Sequence, residues 1–333
     1  MQSIRWGLLS TANINRRLIP AIRASKRGKL VAVASRSQES AEAYAAQWKI
    51  PHAFGSYESM LTSGLVDVVY ISLPNHLHAE WSIHAMQAGM HVLCEKPLAL
   101  SLDEVDAMIM TSQKTKRICS EAFMYRHHPQ TKTAGELVRS GKLGDICVVR
   151  AVFNFSFGNK HDKTGQLNIR LDPEKGGGCL WDVGVYPLSF AQYIMGGPPQ
   201  WVSATQWIGE TGVDEVFTGQ MHYPDNGIAQ ISGAFRSPYY TFAEIFGTEG
   251  VLTLNRPFTN MDRNRHLNFY SNNGEHKVIP VPTQDLYLGE VDDMHAAILD
   301  GATPYLSLGE SRNQVRTILT LYEAARTQSV KHL

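Results

Sequence analysis

Two short stretches carry side chains that could move a proton beside a reacting carbon. Cys94-Glu95-Lys96-Pro97 closes an apolar run, and Asp182 and Tyr186 stand four residues apart behind the glycines Gly176–Gly178. A lysine at the C-terminal end of a strand in an open α/β sheet faces the crevice where ligands bind. There it can hydrogen-bond a substrate oxygen and stabilise negative charge as it develops; the other reading is a surface Glu–Lys ion pair. Asp182 and Tyr186 share one face of a helix, and three glycines ahead of them allow close backbone approach to a ligand. Pro187 fits a first turn better than a helix interior, so either Tyr186 opens the helix or the helix is kinked. A tyrosine with a pKa of about 10 is a poor base unless a nearby cation favours its anion, and Lys96 could supply that charge. The alternatives are a core aromatic with a satisfied hydroxyl for Tyr186, and a helix cap or structural acceptor for Asp182.

The elements that must position these residues are written in the hydrophobic pattern. Ile4–Leu9 is a short apolar run, followed by a helical pattern through Ile14, Leu18 and Ile22. Leu30–Ala34 is continuously apolar, as in a strand buried on both faces of a parallel sheet. A helix over Ser40–Trp48 is stopped by Pro51. Val66–Ser72 is the next strand, His78–Ala88 a helix ended by Gly89, and His91–Cys94 a further strand. Ser101 with Glu104 three residues on is a capping box. Strict alternation of this kind predicts a doubly wound parallel sheet with right-handed crossovers. After about residue 145 the texture changes. Ile146–Phe157, Val216–Tyr223, Ile228–Phe235 and Tyr240–Phe246 alternate apolar and polar residues around turns such as Asp225-Asn226-Gly227. Helical patterns return at Thr131–Ser140, Tyr186–Met195, Val291–Leu299 and Glu310–Ala325. The expectation is an α/β chain: an N-terminal Rossmann domain over residues 1–122, then an α+β domain over 123–333 with a large, mostly antiparallel open sheet.

The first βα junction, Gly7-Leu-Leu-Ser10-Thr11-Ala12, stands where a dinucleotide fold puts its glycine-rich turn, with a helix N-terminus facing the pyrophosphate. Gly7 is in place, Ser10 replaces the phosphate-side glycine and Ala12 is a small closing residue; Asn13 and Ile14 lead into the helix. A plain tight turn is the equal alternative. An NAD-selecting chain would offer an acid at the end of the second strand. This chain offers Ser35-Arg36-Ser37 and no acid until Glu39. Arginine and hydroxyls suit a 2′-phosphate, so the reading is NADP over NAD.

With 333 residues the chain holds about two domains. Hydrophobic residues make up 43% and charged residues 19%, which places it outside the disordered class. Lys+Arg and Asp+Glu both number 31, a balance that argues against nucleic acid as the main partner. No uncharged apolar run reaches the roughly 18 residues of a membrane span, and the N-terminus lacks a signal-peptide core. Cys94, Cys119, Cys147 and Cys179 have no CxxC or Cys/His spacing, so free thiols and a cytoplasmic location are expected. His76, His78, His84 and His91 are spaced too irregularly for a metal site.

Taken in order, Gly7…Ala12, Leu73-Pro74-Asn75-His76-Leu77-His78, Glu95-Lys96-Pro97, the stretch from Gly176 through Asp182 and Gly184 to Tyr186, and Gly247-Thr-Glu-Gly250 resemble the Gfo/Idh/MocA oxidoreductases over nearly the whole chain. Tyr186, with Glu121-Ala-Phe-Met-Tyr-Arg126, is similar to the branch holding glucose-fructose oxidoreductase, dimeric dihydrodiol dehydrogenase and NADP-dependent xylose dehydrogenase. The resemblance implies that Lys96 is the catalytic lysine, that Glu95 lies near the nicotinamide ribose and that Pro97 follows a cis peptide. It implies that Leu73, Pro74, Asn75 and His78 line the adenosine and ribose path, and that Arg170 reaches the cofactor or the substrate. Arg126, in Arg126-His127-His128, would touch substrate or else open the next helix. Phe155, with Asn154 and Trp181, would line a sugar pocket or simply pack in the core.

The implied reaction is hydride transfer between NADP and a sugar or polyol carbon. Tyr186 would exchange the hydroxyl proton, Lys96 would polarise the oxygen and assist it, and Asp182 would orient the pair. A keto-sugar reductase or trans-dihydrodiol dehydrogenase is the near alternative. A non-catalytic dinucleotide sensor is the far one, and the intact Lys96, Asp182 and Tyr186 argue against it. The resemblance also suggests a homodimer or homotetramer paired through the C-terminal sheet.

Overall fold

The computed structural model describes residues 3–157, 160–161, 165–259 and 266–333. Its first unit comprises residues 1–127 and 285–312, its second residues 128–284 and 313–333. In the first unit β1 (Ile4–Leu9), α1 (Asn15–Ala24), β2 (Gly28–Ala34), α2 (Gln38–Trp48), β3 (His52–Phe54) and α3 (Tyr57–Leu61) form one half of a doubly wound sheet. β4 (Val68–Ile71), α4 (His78–Gln87), β5 (His91–Glu95), α5 (Leu102–Thr115) and β6 (Cys119–Ala122) form the other. The six strands run parallel in the order β3-β2-β1-β4-β5-β6. The strand order reverses between β1 and β4, the point where such sheets bind ligands. All four residues of β4 are buried, as a strand covered by helices on both faces requires. The Ser101 capping box at the start of α5 is formed as read.

The second unit opens with α6 (Pro129–Arg139) and β7 (Ile146–Ser156). A π-helical turn at Leu180–Gly184 then runs into α7 (Val185–Met195). The remaining strands are β8 (Trp201–Ile208), β9 (Asp214–His222), β10 (Ile228–Ala234), β11 (Arg236–Gly247), β12 (Gly250–Asn255), β13 (His266–Ser271) and β14 (His276–Pro280). α8 (Leu288–Asp300) follows, then α9 (Leu308–Thr327) and β15 (Lys331–His332). Nine strands form one sheet in the order β14-β13-β12-β11-β7-β10-β9-β8-β15, antiparallel except for β10 beside β7. Strands such as β12, with strictly alternating buried and half-buried residues, show the one-sided burial expected of such a sheet.

The sequence suggested one division, between 122 and 123, whereas the chain changes unit three times. The reason is α8, which returns to the first unit. Its Val291, Met294 and Ala297 are buried there, and Nε2 of His295 accepts the indole N–H of Trp6 at 2.8 Å. Arg27 and Asp300 pair at 2.6 Å at the end of the same helix. No local pattern announces a contact between residues 6 and 295.

Candidate active site

β1 runs through Gly7 to Leu9, so the nucleotide turn begins at Ser10. Gly7, read from the sequence as the first glycine of that turn, lies inside the strand. A Cβ there would meet Val66 Cγ1 at 3.0 Å and Met60 Sδ at 3.1 Å, so it is glycine for packing. The residue with the conformation that favours glycine is Ser10, at φ 131°. Its hydroxyl lies 2.8 Å from that of Ser72 and accepts the Ala12 N–H at 3.1 Å. Asn15, which sequence reasoning missed, closes the turn: its side-chain N–H donates to Ser10 O at 2.8 Å and its oxygen accepts from the Ser72 hydroxyl at 2.7 Å. The fingerprint therefore sits three residues later, as Ser10-x-Ala12-x-x-Asn15, with Thr11 and Asn13 between. Ile14, at the N-cap position, supplies no side-chain bond to α1, whose first turn has no acid. The N–H groups at that end point where a phosphate is favoured.

At the end of β2, Ser35 is half-buried and Arg36 exposed. The Ser37 hydroxyl is committed to α2, where it accepts the Ser40 N–H. Beyond β4, Leu73 is buried and Pro74 leads into a single 3₁₀ turn over Asn75–Leu77. His78 is 1% exposed, with Nδ1 2.7 Å from Pro97 O and Nε2 2.8 Å from Leu73 O. It sits within the protein between two backbone loops; burial pushes its pKa down and its two carbonyl partners oppose that.

β5 delivers Glu95 and Lys96 to its C-terminal end, both half-buried, and the Lys96–Pro97 peptide is cis. The buried Tyr70 hydroxyl donates to Glu95 Oε1, and the Lys96 N–H donates to Glu95 Oε2 at 3.2 Å. Burial, followed by the Glu95 charge, holds the Tyr70 phenol well above its ordinary pKa, so it stays a donor. Sequence reasoning quoted Glu121 as the start of a branch motif and gave it no role; in β6 it is 1% exposed and accepts the Leu98 N–H at 2.9 Å. Sequence reasoning missed Glu290, in α8: neither carboxyl oxygen has a hydrogen-bond partner among the described residues, and burial pushes its pKa well up.

Arg126 is buried beside Glu310, at 3.1 Å, and Tyr305. His128 caps α6 by accepting the Gln130 N–H, so that end of the Arg126-His127-His128 stretch opens a helix.

In the second unit the Tyr186 question has a geometric answer. Tyr186 and Pro187 are the second and third residues of α7, which continues directly from the π turn that carries Asp182, so the proline falls where the helix is irregular. Such turns recur at functional sites. Gly233 of β10 lets this turn lie against the strand, since a Cβ there would come within 3.1 Å of Gly184 Cα. The turn is anchored by another residue missed from sequence, Asp214 of β9, 3% exposed. It accepts from Leu180 N at 2.8 Å, Cys179 Sγ at 3.0 Å and the Tyr322 hydroxyl at 2.8 Å. Burial raises its pKa and these three donors oppose the rise. Arg170 donates from Nε to Asp182 Oδ2 at 2.8 Å, so two of the expected residues are joined. Tyr186 is 6% exposed among the rings of Phe153 and Phe258, at 5.4 and 5.9 Å. Phe155 packs against Phe157 and Phe235, and Trp181 against Tyr322. Lys96 thus belongs to the first unit, and Arg170, Asp182 and Tyr186 to the second. Among the described residues no cluster of His, Cys, Asp or Glu could hold a metal ion.

These motifs recur in known proteins. Residues 4–123 match the oxidoreductase family with an NAD-binding Rossmann fold, and residues 131–253 match the GFO/IDH/MocA C-terminal domain. The chain is 36% identical to D-xylose 1-dehydrogenase (NADP(+)) 2 of Haloferax volcanii, over 98% of this chain and 99% of the relative. The crystal structure of an aldose-aldose oxidoreductase from Caulobacter crescentus, complexed with glycerol, superposes with a TM-score of 0.91 at 26% identity and covers 100% of both chains. A 3-ketoreductase from Actinomadura kijaniata in complex with NADP and TDP-benzene gives 0.88 at 27% identity, over 97% of this chain and 98% of that one. With both halves matched and a relative of this identity aligned end to end, the chain belongs to the GFO/IDH/MocA oxidoreductase family.

Proposed function

We propose that this chain is an NADP(H)-dependent oxidoreductase that transfers a hydride between the nicotinamide and a carbinol or carbonyl carbon of a sugar, with aldose 1-dehydrogenation as its reaction. The observation that carries this reading is Lys96, set at the C-terminal end of a central parallel strand and backed by Glu95 and Tyr70.

The residues present suit the cofactor. Uncapped amides at the start of α1, with Arg16 and Arg17 in its first turn, offer a pyrophosphate N–H donors and positive charge. Exposed Arg36, in a position where NAD-selecting folds place an acid, would hold a 2′-phosphate. Leu73, Pro74 and Asn75 would flank the adenosine side and Glu95 the nicotinamide ribose. Bound NADP supplies or accepts the hydride. Lys96 donates a hydrogen bond from Nζ to the substrate oxygen and stabilises the negative charge that develops there. Tyr186 exchanges the hydroxyl proton from its Oη, and Asp182, held by Arg170, orients it. Arg126, which donates to Glu310, and Phe155 are the other proposed substrate contacts.

The test is turnover of purified protein with NADP and with NAD across aldoses, keto-sugars, polyols and diols, followed by nicotinamide absorbance. NADP-linked oxidation of an aldose supports the reading, and no turnover of any member sinks it. Reduction of keto-sugars alone favours the second reading, a ketoreductase, which the likeness to the 3-ketoreductase supports. Arg36→Ala should weaken NADP binding by about 10-fold or more, the loss of one charge-assisted contact, and leave NAD binding unchanged. Equal loss for both cofactors would overturn its assignment.

We further propose a cytoplasmic homodimer or homotetramer paired through the nine-stranded sheet. Arg150, Ser203, Thr205, Thr218, Gln220 and Phe242 line an open groove on that sheet. No helix among the described residues is long and apolar enough to cross a membrane. Light scattering coupled to size exclusion tests the pairing, and a monomer would refute it.

A further inference from the structure

β5 ends at Glu95, so Lys96 leaves the sheet with no regular structure beyond it. What fixes that exit is the next peptide group. Its carbonyl, on Pro97, lies 2.7 Å from Nδ1 of His78, and its N–H, on Leu98, donates to Oε1 of Glu121 at 2.9 Å. Both side chains are buried, and so are Pro97 and Leu98.

We propose that His78 and Glu121 are positioning residues for Lys96: they clamp the Pro97–Leu98 peptide at both ends of its dipole and thereby set the direction in which Lys96 leaves β5. The catalytic consequence rests on the oxidoreductase reading above, and the clamp itself does not.

Both side chains stand where burial works against them. Glu121 shares its surroundings with Cys94 and Cys119 and feels the charges of Glu95 and Lys96; burial pushes its carboxyl up to about 7. An apolar side chain would fill that space without the desolvation penalty, but it would leave the Leu98 N–H without this acceptor. His78 has a carbonyl oxygen at each nitrogen, whereas a neutral imidazole has a single N–H. Burial and the charges of Lys96 and His76 oppose a second proton, and the two carbonyls favour it. Protonated, the ring donates to both carbonyls; neutral, it donates to one, and the clamp is the tautomer with its proton on Nδ1, toward Pro97 O. Lys96 itself adds a third tie, through its N–H to Glu95.

Paired substitutions test this. Glu121→Gln keeps an acceptor for Leu98, and Glu121→Leu removes it. His78→Asn keeps a donor near the Nδ1 position, toward Pro97, and His78→Gln keeps one near Nε2, toward Leu73. A catalytic group misplaced by about an ångström loses on the order of 100-fold in rate. Glu121→Leu should accordingly lose about 30-fold or more in kcat, with the Kd for NADP changed less than ~3-fold, and Glu121→Gln should recover to within ~5-fold of the parent. His78→Asn should exceed His78→Gln in kcat by about 10-fold.

Parent-like kcat in Glu121→Leu, equal damage in Glu121→Gln and Glu121→Leu, or His78→Asn no better than His78→Gln would each overturn the clamp. If Glu121→Leu shows no cooperative thermal transition, the His78 pair decides alone. If the parent turns over no substrate, the oxidoreductase reading has failed, and the clamp is read from the acetylation rate of Lys96 by acetic anhydride, followed by mass spectrometry. A faster rate in Glu121→Leu than in Glu121→Gln supports the clamp, and equal rates overturn it.

Discussion

The exit of β5, carrying Lys96, and the π turn before α7, carrying Asp182, solve one problem in different ways. Each is an irregular piece of backbone whose side chains must be held in place, and each is hung on a buried acid. Asp214 receives three donors, from Leu180, Cys179 and Tyr322. Glu121 receives the Leu98 amide on one oxygen, and its other oxygen has no hydrogen-bond partner among the described residues. Burial raises both carboxyls, and at Asp214 three donors oppose the rise. Glu121 is left to titrate near 7. The anchor in the first unit thus changes charge within the ordinary working range of pH. At similar burial the two anchors differ in their number of donors.

The comparison breaks first at the residue the first anchor serves. Lys96→Ala removes the donor to the substrate oxygen and should lower kcat by about 100- to 1000-fold, the effect of losing one preorganised donor. NADP affinity should change by less than ~3-fold, since the nucleotide contacts proposed here lie elsewhere. Parent-like turnover in this variant would remove Lys96 from the chemistry. The second anchor comes next. Asp214→Ala leaves an amide and a phenol without their acceptor, while the Cys179 thiol keeps Gly233 O at 3.2 Å, and should destabilise the protein by about 3 kcal/mol or more in chemical unfolding. Asp214→Asn, which retains one acceptor oxygen, should fall between. A loss below ~1 kcal/mol in the alanine variant would show that the π turn stands without its anchor.

The pH dependence sharpens the contrast. The Glu121 carboxyl rises from 4.5 to about 7 on folding, so the folded protein favours its protonated form. Its contribution to stability is full below its unfolded pKa and is lost as pH rises through its folded one. The difference in unfolding free energy between the parent and Glu121→Gln should therefore fall by about 3 kcal/mol between pH 4.5 and 8, at 1.36 kcal/mol per unit. Comparing against the glutamine variant cancels the other titrating groups. A difference that stays flat across this range would mean that Glu121 is charged throughout.

The two regions were also unequally legible in the sequence. β1 and the exit of β5 follow from apolar runs that only a parallel sheet buries on both faces, and the lysine at the strand end is a chemical signal in itself. The π turn has no period that a pattern of apolar residues could reveal; Pro187 hinted at irregular backbone without specifying it. Glu121 lies within a four-residue strand and Asp214 at the start of a nine-residue one, where a lone acid in sequence looks solvent-facing. Their role exists only through partners in other elements, which no local reading contains. Even a motif that was found was misplaced: the glycine at Gly7 drew the nucleotide fingerprint three residues early, because the position with positive φ is filled by serine.

That serine supplies the smallest effect and a boundary for the comparison. At φ 131°, Ser10 occupies a conformation that favours glycine, at a strain of about 1–3 kcal/mol. Its hydroxyl contacts Ser72 and the Ala12 N–H, together worth about 1–2 kcal/mol. Ser10→Gly removes both contributions. Ser72 keeps its bond to Asn15, so no buried hydroxyl is orphaned, while the added backbone freedom of glycine costs roughly 0.5–1 kcal/mol. These magnitudes nearly cancel, so unfolding free energy should stay within about 1 kcal/mol of the parent and NADP affinity within ~3-fold. A loss above ~2 kcal/mol would show that the Ser10–Ser72–Asn15 network carries the turn. Near-neutrality would set Ser10 apart from Glu121 and Asp214: a side chain whose bonds offset the strain it creates, rather than one on which neighbouring backbone depends.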